Sequence, residues 1–171
     1  VRWCVDNGLR AVMIPTLWYG NDPYHNVKYD PFWEVCEDLG VIVHFHSGPA
    51  PHAEYFGAGF PVEDKREELP GAMGIYVSEV MWWLYRPLTF MIWGGVFERF
   101  PKLKVMIVEG GTMFMLPPWL RLMDFHYGEG QISAKLGNFR EHLSLTPSEY
   151  YQRNVGIGAS CVLRPDIDMR D

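Results

Sequence analysis

Val41-Ile-Val-His-Phe-His-Ser-Gly48 decides how the chain is read. A short apolar run with little polar alternation suits a parallel strand buried on both faces. Ser-Gly-Pro follows at 47–49 and forces the chain into a loop. The run therefore delivers the His46 imidazole to the carboxyl end of a buried strand. Side chains alternate along a strand, so His44 and His46 share one face, with His44 one layer deeper. A single buried histidine is more often a hydrogen-bonded core residue than a metal ligand. The strand-end position makes His46 a candidate ligand and adds little to that reading for His44.

Upstream, residues 1–7 read as a helix tail stopped by Gly8, and 10–14 as a strand closed by Pro15. Residues 16–29 form a loop. A helix follows, with Asp30 as its cap, Pro31 at its first position and Gly40 just past its end. Phe32, Val35, Cys36 and Leu39 make its apolar stripe. Strand, loop, helix and strand in that order imply a parallel pair.

Downstream, 47–70 is a long connection of the kind used for lids and binding loops. A helical region spans 72–100, with Pro87 expected to kink or split it. The run 103–108 is the next strand and ends in Glu109-Gly-Gly111, again an ionisable side chain at the loop end of an apolar run. A helix is expected over 113–127, restarted near its beginning by Pro117-Pro118. Thr146-Pro-Ser-Glu149 is a capping box opening a short helix to Arg153, and 155–159 is the last strand. The pattern is α/β: about four parallel strands separated by helices, with no glycine-rich phosphate loop beside any of them. A full (β/α)8 TIM barrel needs ~250 residues. The 171 residues make a partial barrel, a single incomplete domain over 1–171.

Composition narrows the function. With 48% apolar residues, one packed core is affordable. A net charge of −6 without a basic cluster argues against nucleic-acid and anionic-membrane partners. The apolar run 74–97 contains Glu79, Arg86 and Pro87, which argues for a buried helix over a membrane span. Cys4, Cys36 and Cys161 form no paired motif and fit a cytoplasmic protein with free thiols. No signal peptide is visible at Val1, and both termini read as interior to a longer protein.

Four segments together resemble the amidohydrolase-related family, the branch that includes aminocarboxymuconate-semialdehyde decarboxylase. They are 29–48, 94–111, Trp119-Leu-Arg-Leu-Met-Asp124 and Pro147-Ser-Glu-Tyr-Tyr-Gln-Arg-Asn154, in the family's order. The resemblance implies an eight-stranded barrel holding one divalent metal, often zinc. Its ligands come from the first strand, from a histidine on the fifth and from an aspartate on the eighth. His46 takes the fifth-strand position, and the chain corresponds to roughly strands four to seven. The first- and eighth-strand ligands would lie outside it. Many members carry a catalytic histidine on the sixth strand, where this chain has Glu109.

The implied activity is that of a metal-dependent hydrolase or a non-oxidative decarboxylase (a carboxy-lyase) of small organic acids, aromatic ones included. A bound metal lowers the pKa of its water to about 7 and polarises a substrate oxygen. Glu109 is the candidate proton shuttle; an ion pair with an Arg or Lys across the barrel mouth explains it equally well. His52 and Trp18, with Tyr19, Tyr55 and Phe56, are candidates to line a pocket for a flat acid, against ordinary loop packing. His25, His126 and His142 are expected to be solvated, and Arg153 and Asn154 to support the next strand. The competing reading is a half-barrel without catalysis, an assembly module, since one ligand is too few for a catalytic zinc. Open strand edges predict a homo-oligomer.

Overall fold

The computed structural model describes residues 1–16, 20, 22–46, 71–109, 116–129 and 138–158. Four parallel strands, β1 (Ala11–Met13), β2 (Ile42–His46), β3 (Lys104–Val108) and β4 (Val155–Ile157), lie side by side in chain order. The helices are α1 (Arg2–Asp6), α2 (Asp30–Asp38), α3 (Ala72–Trp93), α4 (Val96–Arg99), α5 (Leu116–Glu129) and α6 (Pro147–Asn154).

Sequential parallel order requires every right-handed crossover to return over the same face. Burial agrees. Val43 and Phe45 of β2 and Val105 and Ile107 of β3 are at most 1% exposed. They share one core with Trp33, Leu84, Leu88, Ile92, Phe97 and Tyr150 from the helices. The alternate residues Ile42, His44, His46, Met106 and Val108 are only half-buried, and Met13 on the same face is 62% exposed. Among the described residues helices seal one side of the sheet and leave the other half-open, as the concavity of a (β/α) barrel sector.

Helix α2 ends as expected, with Gly40 at φ +63°. Its start differs. Asp30 is the first helical residue and makes no capping bond; its carboxylate accepts two hydrogen bonds from Arg99, from Nε at 3.0 Å and Nη2 at 2.8 Å. A bidentate guanidinium outcompetes the backbone for those oxygens. The buried stripe also shifts: Trp33 and Cys36 are fully buried, while Phe32, Val35 and Leu39 only flank them.

Pro87 does not split the long helix. Helix α3 runs unbroken through it, and the division falls at Gly94-Gly95. Leu84, Leu88, Met91 and Ile92 are all fully buried, so packing around Pro87 outweighs its missing N–H. At Gly94 there is no room for a Cβ, which would overlap the His25 side chain and lie 2.6 Å from the Phe90 carbonyl oxygen. The capping box of α6 is complete, with the Thr146 and Glu149 side chains each bonding the other's backbone N–H. Helix α5 is described over Leu116–Glu129; residues 113–115, the 47–70 connection and residue 159 lie outside the described residues. No described helix is long and apolar enough to cross a membrane.

Candidate functional site

Strands β2 and β3 pair over five residues, with His44 opposite Met106 and His46 opposite Val108. His46 is the last residue of β2 and lies on the half-open face. Glu109 is the first residue beyond β3. Its carboxylate Oε2 lies 3.6 Å from His46 Nε2, and the two side chains are 42% and 33% exposed. The two ionisable groups thus meet at the carboxyl ends of neighbouring strands, the rim where barrel enzymes assemble their chemistry. Glu109 has φ +56°, the one non-glycine residue with positive φ among the described residues.

His44 sits one layer below His46, half-buried, between Met13 and Met106 in register. Trp18 and His52 lie outside the described residues, as do Tyr19, Tyr55, Phe56 and Cys161. Among the described residues no group of three or more His, Cys, Asp or Glu side chains converges as a metal site. The donor chemistry at the strand ends fits a metal in part. An imidazole nitrogen and a carboxylate face each other, while a catalytic zinc takes three protein ligands.

Histidines elsewhere behave differently from one another. His142 is exposed, as expected. His126 is half-buried with its ring edge-on to Phe125 at 5.6 Å. His25 is half-buried: its ring stacks on Phe90 at 5.2 Å and its Nδ1 is buried. The absent Cβ at Gly94 is what admits it.

The residues that hold β3 in place come from far along the chain. Asn154 is buried, and its Nδ2 donates to the carbonyls of Pro101, at 3.1 Å, and Leu103, at 2.8 Å. Arg153 Nε donates to Asn154 Oδ1 at 2.9 Å, and its Nη2 to the Phe97 carbonyl. Asn154 therefore anchors the residues entering β3, and Arg153 braces Asn154 and α4, whereas the sequence predicts support of the strand that follows them. Tyr150 donates its hydroxyl proton to Glu98 and accepts from the Ser144 amide at 3.0 Å. The Tyr150 hydroxyl, more than the Ser144 bonds and the Arg153 charge, holds the Glu98 carboxyl below the usual carboxylate range, against its partial burial. Burial first and Glu98 second push the Tyr150 phenol up. Asp124 accepts from the Ser148 amide at 2.9 Å and ties α5 to the first turn of α6. The segments 119–124 and 147–154 thus carry joints between elements, which sequence patterning alone does not distinguish from a site.

The model of the amidohydrolase family matches residues 1–141. The chain belongs to this family. Solved structures agree on the fold. A putative amidohydrolase from Staphylococcus aureus is 22% identical with a TM-score of 0.64, covering 98% of this chain and 50% of that one. The 5-carboxyvanillate decarboxylase LigW from Sphingomonas paucimobilis is 24% identical with a TM-score of 0.55, covering 88% of this chain and 40% of that one. LigW2 from Novosphingobium aromaticivorans, a 5-carboxyvanillate decarboxylase solved with bound manganese, is 20% identical with a TM-score of 0.63, covering 98% of this chain and 44% of that one. The chain spans half or less of the length of each, and its fold is that of part of a TIM barrel.

Proposed function

We propose that the chain supplies roughly strands four to seven of a metal-dependent barrel enzyme acting on small organic acids, as a hydrolase or a non-oxidative decarboxylase. The observation that carries this reading is the meeting of His46 Nε2 and the Glu109 carboxylate at 3.6 Å on adjacent strand ends. His46 would hold the metal through Nε2, with the remaining ligands supplied from outside the described residues. When bound, the metal would provide Lewis-acid polarisation of a substrate oxygen. Glu109 would hold or deliver a proton at Oε2, within reach of any group bound at His46. The decarboxylases among the solved neighbours favour an aromatic acid as substrate. The metal is zinc or manganese: the former suits a histidine-carboxylate set, and the latter is present in LigW2.

Elemental analysis tests the metal. Stoichiometric zinc or manganese that is lost in His46→Ala supports the reading. Absence of metal from the protein overturns it in favour of an assembly module without catalysis. Carbon dioxide release from hydroxylated aromatic acids, lowered at least 100-fold by Glu109→Gln, then separates decarboxylase from hydrolase.

A further inference from the structure

Strand parity places Glu109 on the wrong side for its observed contact. Along β3, Val105 and Ile107 point into the helical layer, while Met106 and Val108 point with His46 into the concavity. Had the extended backbone continued, residue 109 would follow 105 and 107 into the helix side. Its carboxylate would then enter an apolar layer, away from His46. Instead the backbone at Glu109 adopts φ +56° and the carboxylate reaches His46 Nε2. A β-carbon is unfavourable in this region, and only glycine, or asparagine and aspartate less readily, adopt it without strain.

We propose that the left-handed turn at Glu109 is a strained positioning device, which carries the carboxylate from the helix side of the sheet to the side of His46. The turn sits where the ladder still constrains the chain: the Gly158 amide donates to the Ile107 carbonyl at 2.8 Å, one residue beyond the paired part of β4. Val108 in turn pairs with His46, so the strand is held up to residue 108 and the reversal of direction falls at residue 109. Strain persists at such a position because the surrounding structure over-determines it. Glycine at 109 would make the same turn freely, but with no carboxylate to deliver. The proposal shares the His46–Glu109 contact with the proposed function and does not require a metal or a reaction.

Glu109→Gly and Glu109→Ala both remove the carboxylate, so the difference between them isolates the backbone. In extended or right-handed helical backbone alanine is the more stable of the two, whereas in the left-handed region the order inverts. The expected result is a higher urea midpoint for Glu109→Gly than for Glu109→Ala, with Glu109→Asn between them. An alanine midpoint equal to or above the glycine one overturns the strain. Aim is read separately, on metal-free protein, from the His46 ring signals in nitrogen-edited NMR spectra. They are expected to shift in Glu109→Ala; unchanged signals overturn the claim that the turn serves His46. Missing metal in the elemental analysis would sink the proposed function and leave both of these results standing.

Discussion

Tyr150 answers two needs at once: its ring fills the core and its hydroxyl joins Glu98 to the amides of Ser144 and Leu145. The joint gives stability a defined pH dependence. The Glu98 carboxyl titrates lower in the folded chain than in the unfolded one. Its contribution is complete above the unfolded value of ~4.3 and disappears as pH falls through the lower folded value. The Tyr150 phenol titrates higher when folded, so its contribution is complete below ~10 and disappears as pH rises past it. Tyr150→Phe is expected to flatten both limbs of a plot of thermal midpoint against pH, and to cost about 1–3 kcal/mol near neutrality. Asn154→Ala leaves the buried Leu103 carbonyl and the part-buried Pro101 carbonyl without their donor and is expected to cost about 1–3 kcal/mol in urea denaturation. Buried Cys36, its thiol pushed up to about 11 by desolvation, is expected to resist thiol reagents until the chain unfolds.

Among the elements, α3 shows where sequence patterning and packing part ways. Proline marks a break when the helix must stand alone, but the turns on either side of Pro87 are locked into the core. The break moved to Gly94, whose need for a bare Cα lies in the fit of His25, 69 residues earlier; no local pattern carries that information. Gly94→Ala is therefore expected to lower stability by about 1–3 kcal/mol, measured by chemical denaturation. Phe45→Ala, on the sealed face of β2, is expected to cost about 3–5 kcal/mol in the same assay. The strands were legible because parallel staves buried among helices need uninterrupted apolar runs. Asp30 was misread for the opposite reason: its partner, Arg99, is set by tertiary structure and not by spacing. At the strand ends, adjacency of His46 and Glu109 was legible from the repeated pattern of run, ionisable residue and glycine. The turn that makes them face each other was not, since strand parity by itself sends Glu109 the other way.

At the scale of the molecule, the described helices cover the sheet on one side. Among the described residues β1 and β4 each pair along one edge, and Met13 stands 62% exposed on the concave face. We propose that a second copy covers part of this surface, giving a homo-oligomer. Light scattering is expected to report at least twice the 19.8 kDa mass of one chain; a stable monomer at high concentration would sink the idea.

Asn154 fixes the entry of β3 from more than fifty residues downstream. A chain nicked before residue 154 is therefore expected to hold β3, and with it Glu109, less firmly than the intact one.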